Sequence, residues 1–277
     1  MVSCAKDEKQ QAEEMLQKAQ NCYDMQNFNS AVAYIDTINT KFEKQVNVRK
    51  RAKIIDLNIK ILKQRQNLTI ADSLFTIKQN EFNSQLSEFD FEKDEKYQTE
   101  GFYTAKGQET ARIAFRNMLK PYVAENGELQ IHSLCVGNTG HSQVKLSADG
   151  EEISGEIINN GSPFNYTYSD GETRHQTLVI TQKADSIADF INEHQSQNIK
   201  VYLINGTKTL TSYTLSPKDK SFIIKTASLS SRLKDVMKYK HQREVAERKI
   251  AVFQNSLSDY EAEIKIEKEQ QQQQNNK

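Results

Sequence analysis

The sequence has no tryptophan, only three cysteines, three prolines and ten glycines in 277 residues, and no net charge, since 37 basic side chains balance 37 acidic ones. Three cysteines cannot all pair, which excludes a disulfide-stapled scaffold. Charge balance removes the long-range attraction that nucleic-acid binders use, so no nucleic acid is expected as a partner. No apolar run reaches the roughly 18 residues of a membrane-spanning helix. Hydrophobic side chains make up 36% of the chain, which favours a thin core spread along elongated helices. Glycine and proline are also unevenly placed. Residues 1–97 contain neither, all ten glycines and two prolines lie in 98–216, and the third proline is Pro217.

A stretch without such punctuation reads as helix. Over 9–42, Ala12, Leu16, Ala19, Cys22 and Tyr23 form one apolar stripe, and Ala31, Tyr34, Ile35 and Ile38 form another. The polar turn from Asp24 to Phe28 divides them, giving a helical hairpin. The spacing of Ala19, Cys22, Phe28, Ala31 and Ile35 resembles one tetratricopeptide-type unit, but a single unit makes no array. In 43–97, Val48, Ala52, Ile55, Ile59 and Leu62 follow the alternating four- and three-residue steps of a coiled-coil seam. Leu68, Ala71, Phe75, Phe82 and Phe89 continue in a shifted phase, which predicts a change of winding or a break near Asn67. Ser216-Pro217 starts a second long helix, 217–269, with a capping hydroxyl before a first-turn proline. Ala246, Ile250, Phe253, Leu257, Tyr260 and Ile264 repeat the seam spacing there, and Leu229, Leu233 and Val236 extend it past a stammer around Tyr239 and Arg243. The glutamine-rich segment 270–277 reads as a frayed low-complexity tail.

The middle, 98–216, has β composition. Asn126-Gly127, Asp149-Gly150, Asp170-Gly171 and Asn205-Gly206 suit the positive φ of tight hairpins. Strands are expected at 112–118, 128–136, 143–147, 176–181, 200–204 and 209–215. One helix is expected around Ile187, Phe190 and Ile191, capped by Asp185-Ser186. The predicted fold class is α+β: a long antiparallel helical coiled-coil stalk with an N-terminal helical hairpin and an inserted, mainly antiparallel β domain. At about 1.5 Å per helical residue, the stalk would be at most roughly 80 Å long.

No constellation in this chain carries chemistry by its spacing. His132 and Cys135 are three apart on a predicted strand and so point to opposite faces, a poor start for a metal site. Gly137-Asn138-Thr139-Gly140-His141 has the look of a phosphate loop, but no Lys-Ser or Lys-Thr follows and no helix opens there, so a hairpin connection explains it. Asp170 beside Gly171 is accounted for by the turn rather than by an acid–base pairing with His175. His194 and His241 read as helix-surface residues, and Arg49-Lys50-Arg51-Lys53 as a solvated helix face. Cys22 and Cys135 read as buried free thiols, with pairing as the alternative. No catalytic, cofactor-binding or metal-binding residue is assigned, and no cofactor is expected.

The N-terminus carries an address instead. Val2-Ser3-Cys4 fits the end of a lipobox, in which small residues precede the cysteine that becomes acylated, and Lys6-Asp7-Glu8 is a lysine followed by two acids. In these residues the chain resembles a Bacteroidetes-type envelope lipoprotein whose signal peptide has been truncated. The resemblance implies lipidation at Cys4, an export signal at Lys6, Asp7 and Glu8, attachment to the outer membrane through lipid alone, and surface display. The function expected from this is a non-enzymatic scaffold or partner-binding module whose protein or envelope partner is unknown. Two alternatives are an intracellular coiled-coil adaptor in the cytoplasm, if Met1 is the true start, and an enzyme with an unrecognised site in the β domain.

Overall fold

The computed structural model describes residues 2–96, 99–108, 116–137 and 139–275, and the side chains from 8 to 273 within those ranges. The chain divides into two compact units, one made of 1–74 with 239–277 and the other of 75–238. Together they mix helix with two antiparallel sheets and end in a long helix.

The helical unit begins with α1 (Val2–Asp24) and α2 (Phe28–Lys41). They are joined by a tight turn in which Gln26 has a φ of 58° and the Asn27 side chain accepts from the Ser30 N–H at 3.3 Å. α3 (Val46–Leu86) follows. Ala12, Leu16 and Ala19 of α1, Ala31, Ile35 and Ile38 of α2, and Val48, Ala52, Ile55 and Ile59 of α3 form one buried cluster. The predicted seam of α3 therefore packs on the hairpin. A different stripe on α3 runs through Lys50, Ile54, Leu57, Ile61, Gln64, Leu68 and Ala71 and continues unbroken to Phe75, Lys78 and Phe82, every member buried or half-buried. Because this register is continuous, α3 passes Asn67 without the expected break; the two phases are two faces of one helix.

The last helix of the chain, Pro217–Asn275, contributes 239–275 to this unit. Lys50 of the second stripe bonds to Glu263 at 2.8 Å and Glu267 at 2.6 Å, and Asp72 pairs with Arg243. Contacts that ascend α3 thus descend the last helix, so the two run antiparallel. The glutamine run, expected to fray, continues that helix to Asn275.

Among the described residues, the second unit holds ten strands and one more helix. β1 (Phe89–Glu92), β2 (Phe102–Ala105), β3 (Met118–Ala124), β4 (Leu129–Val136), β7 (Asn165–Asp170) and β8 (Thr173–Ile180) form sheet A in the order β1-β2-β3-β4-β8-β7. β5 (Gln143–Ala148), β6 (Glu151–Ser154), β9 (Lys200–Asn205) and β10 (Lys208–Thr214) form sheet B in the order β10-β9-β5-β6. α4 (Ala184–Glu193) precedes β9, and the last helix is α5. One core joins Leu129, Ile131 and Leu178 of sheet A, Val144, Leu146 and Leu203 of sheet B, Ile187 and Ile191 of α4, Ile223 and Leu229 of α5, and Phe82 of α3. Within this unit α3 and α5 again pair antiparallel: Lys78 lies 3.5 Å from Asp235, and Gln85 bonds Ser228 at 3.4 Å, seven residues up one helix and seven down the other.

All four turn dipeptides join antiparallel neighbours: β3–β4, β5–β6, β7–β8 and β9–β10. Gly127 has a φ of +85°, and a Cβ there would lie 3.3 Å from the Lys234 backbone, since Ser230 on α5 donates to the Gly127 carbonyl at 2.7 Å. α5 begins as expected, with the Ser216 hydroxyl accepting from the Asp219 N–H at 3.1 Å. Arg116 grips the buried Asp219 carboxylate with two bonds of 2.8 Å, and Lys220 donates to the carbonyls of Gln195 and Gln197.

Several strands depart from expectation. β1 lies where helix was predicted through 97: Phe89, seven residues after Phe82, extends the helical stripe, but residues 89–92 pair with β2 instead. The Phe91 ring then covers Gly101, where a Cβ would come within 2.3 Å of it. The strand expected at 112–118 begins at Met118, and 112–115 lie outside the described residues. β3 contains Pro121, tolerated because β2 pairs only with Val123 and Ala124 and flanks nothing at Pro121. α4 is not capped by Asp185-Ser186, which sit inside its first turn. The Glu156 carboxylate instead accepts from the backbone N–H groups of Thr181, Gln182 and Lys183 at 2.7, 3.0 and 3.1 Å.

Candidate functional site

Sheet A offers two groups of polar side chains, one on each face. β4 alternates strictly, with Leu129, Ile131, Ser133 and Cys135 inward and Gln130, His132, Leu134 and Val136 outward. His132 and Cys135 accordingly face opposite ways, as their spacing predicted. Cys22 is a free, half-buried thiol, and Cys135 is buried.

On the inner face, Ser133, His141, Gln176 and Asn165 form a sealed row, none of them more than 7% exposed. The Gln176 side-chain oxygen accepts from Gly140 N–H at 2.6 Å, His141 N–H at 3.0 Å and His141 Nδ1 at 2.7 Å. An amide oxygen only accepts, so Nδ1 carries the ring proton and Nε2 is free to accept from the Ser133 hydroxyl at 3.0 Å. The Gln176 nitrogen donates to the His141 carbonyl at 2.8 Å and to Asn165 Oδ1 at 2.7 Å. Asn165 in turn donates to the Ile158 carbonyl at 2.9 Å.

A hydroxyl beside an imidazole held at its other nitrogen has the outline of a nucleophile, base and orienter. Two features remove the chemistry. An amide stands where a carboxylate would stabilise imidazolium, and Ser133 and His141 are fully buried, out of reach of any substrate. Burial also pushes the His141 pKa down to about 4, against a smaller upward pull from Gln176, so the ring is neutral. The row instead fastens Gly140 and His141 where the chain crosses from β4 in sheet A to β5 in sheet B. That segment was expected to be a hairpin connection, but its two strands lie in different sheets. Sequence reasoning noticed His141 only within the glycine-rich loop and missed Ser133, Gln176 and Asn165, whose approach depends on strand pairing.

The outer face carries a groove of about 1160 Å³ lined by Phe102, Lys120, Tyr122, His132, Tyr166 and Thr177 among others, with the charged run Glu92–Lys96 along it. Tyr122 anchors an aromatic ladder: its ring centre lies 4.4 Å from that of His132, 6.2 Å from that of Phe102, and 5.3 Å from Lys120 Nζ. Burial, and then the neighbouring Lys120 ammonium, lower the His132 pKa to about 3. A base that weak takes no proton from a nucleophile at neutral pH. Burial likewise pushes the Tyr122 hydroxyl above its ordinary range, with Tyr166 and Glu92 adding to the effect. The groove can stack rings and exchange hydrogen bonds, which is the chemistry of binding.

His175 lies opposite Tyr168 and stacks on it, with ring centres 4.9 Å apart, and makes no bond to Asp170. His194, expected on a helix surface, is buried at the end of α4, with Nδ1 2.9 Å from the Phe190 carbonyl. His241 is exposed. Among the described residues no cluster of His, Cys, Asp and Glu could hold a metal ion, and no helix is long and apolar enough to cross a membrane. Of the sequence-predicted address, the side chains of Cys4, Lys6 and Asp7 lie outside the described residues, and Glu8 is exposed.

No protein-family model matches this chain, and the searches of curated proteins and of solved structures returned no match.

Proposed function

We propose that this chain is a non-enzymatic cell-envelope lipoprotein, anchored to the outer membrane through Cys4, that binds a protein or envelope partner through its sheet unit. The observation that carries the binding reading is the outer groove of sheet A, where the rings of Phe102, Tyr122, His132 and Tyr166 line one surface. The serine–histidine pair, the nearest approach to a catalytic constellation, is closed to substrate. In this reading α3 and α5 form an antiparallel coiled-coil stalk. Its support is the unbroken stripe on α3, the half-buried or buried run of Ala246, Ile250, Phe253, Leu257, Tyr260 and Ile264 on α5, and the ion pairs beside them. The anchor rests on the lipobox-like Val2-Ser3-Cys4, and surface display on Lys6-Asp7-Glu8.

The test expresses the native gene with its own upstream leader. Wild-type protein should partition into the detergent phase and be digested by protease added to intact cells. Cys4→Ala should leave the membrane fraction, since each buried acyl methylene contributes roughly 0.8 kcal/mol and the described helices offer no other span. Unchanged partitioning of that variant rejects the lipoprotein. A photo-crosslinking residue at Glu92, in the groove, should trap a defined partner in whole cells, and the same residue at exposed Met25 should not. Identical adducts at both positions reject the groove as the docking face.

A further inference from the structure

We propose that Asn205 is a site of spontaneous deamidation by water, and that the fold selects it over the chain's two other asparagine–glycine pairs, Asn126-Gly127 and Asn160-Gly161. The Gly206 backbone nitrogen, giving its proton to hydroxide, attacks Cγ of Asn205. The Cγ–Nδ2 bond breaks, ammonia leaves, and a cyclic succinimide remains. Water then adds to either succinimide carbonyl and breaks one C–N bond. Opening on one side gives an aspartyl residue, and on the other an isoaspartyl residue whose main chain runs through the former side chain. A glycine follows the asparagine in all three pairs, and without a Cβ its nitrogen is equally open to the reaction in each. Local sequence therefore does not rank them. What holds the two reacting groups does.

At Asn126 both groups are tied. Its Oδ1 accepts from the Glu128 N–H at 2.8 Å, and its Nδ2 donates to Glu100 at 3.3 Å. The Gly127 N–H, the nucleophile, donates to the Ala124 carbonyl at 2.8 Å, and Ser230 of α5 clamps the Gly127 carbonyl. At Asn160 the electrophile is held: Oδ1 accepts from Nδ2 of the buried Asn165 at 3.2 Å, and the Ser162 N–H closes the turn on the Asn159 carbonyl. Asn205 is exposed, and neither its side chain nor the Gly206 N–H bonds to any described residue. A Cβ at Gly206 would meet nothing within 4 Å. Ring closure requires Asn205 to rotate out of β9, which breaks only its pairing with Lys208. β10 is an edge strand and shifts register between Thr209 and Thr211, so this hairpin end opens locally at low cost. The aspartyl product would place a carboxylate across from Lys208, a favourable cross-strand pair.

Peptide mass spectrometry on the full chain, aged in mildly alkaline buffer with and without denaturing urea, tests this. In the folded chain the peptide containing Asn205 should gain the mass of an amide-to-acid conversion several-fold faster than those containing Asn126 and Asn160. It should separate into aspartyl and isoaspartyl forms. In urea the three sites should convert at similar rates, since the contacts that distinguish them are gone. Asn126 or Asn160 converting as fast as Asn205 in the folded chain overturns the proposal. So does a ranking that survives in urea, because sequence and not the fold would then set it. An aspartyl product without isoaspartyl overturns the attack by Gly206.

Discussion

The helical unit and the sheet unit are built on opposite policies toward buried polarity. Among the described residues, every buried polar or charged side chain lies between Thr104 and Ser230, inside the sheet unit. The hairpin core of the helical unit is apolar throughout, from Ala12 to Ile59. Helices satisfy their own backbone groups, so their packing faces need only apolar side chains at the right spacing. A chain that crosses between two sheets leaves backbone donors and acceptors inside the core, and these need side-chain partners. Gln176 supplies partners for Gly140 and His141 in the core, and nearer the surface Glu156 does so for Thr181 to Lys183 and Lys220 for the carbonyls of Gln195 and Gln197. Specific polar residues thus do in the sheet unit what helical hydrogen bonding does alone in the other.

The comparison breaks hardest at Ile59, 1% exposed in the apolar helical core. Ile59→Asp should cost more than about 4 kcal/mol, because a carboxylate there has no polar neighbour to share. Hydrogen exchange should then show α1 and α2 losing protection while β4 and β8 keep theirs; equal loss in both would mean the two units unfold as one.

Acid should act the other way round. His141 is neutral in the fold down to about pH 4, whereas an unfolded histidine takes up its proton near pH 6.5. Between those values the unfolded chain binds more protons, so stability is complete above about pH 6.5 and falls by up to about 3 kcal/mol as pH drops to 4. His132, held lower still, adds in the same direction. Urea denaturation across this range should show the loss, with exchange protection failing first in the sheet unit. A pH slope no smaller in His141→Gln than in wild type would remove His141 as its cause.

The smallest expected effect concerns α5 in the helical unit. Ile250 is half-buried and Lys249 is exposed. Ile250→Asp should cost about 1–2 kcal/mol and Lys249→Asp less than about 0.5 kcal/mol. Equal melting of the two by circular dichroism would mean that the apolar stripe is not a packing face.

The same division explains what could be read in advance. The hairpin, its turn at Met25–Asn27, the Ser216-Pro217 helix start and all four glycine turns were legible, because each depends on residues a few positions apart. The stripe on α3 was half legible: the apolar positions were visible, but one sequence cannot say which of two faces meets the hairpin and which meets α5. β1, β2, β6 and β7 were not legible, since strands of four to six residues with little alternation are made by their neighbours.

What the sequence determined by itself was therefore the local grammar: helix where glycine and proline are missing, hairpins where Asn-Gly and Asp-Gly stand, apolar stripes at helical spacing. Tertiary structure alone decided that Ser133, His141, Asn165 and Gln176 meet, that the groove falls on the outer face of sheet A, and that α5 clamps the turn at Gly127 while the turn at Gly206 stays open. Backbone sterics and periodicity act over a few residues and leave their mark in the order of amino acids. Burial, hydrogen-bond partnership and strand adjacency act between residues tens of positions apart, and exist only once the sheets have paired.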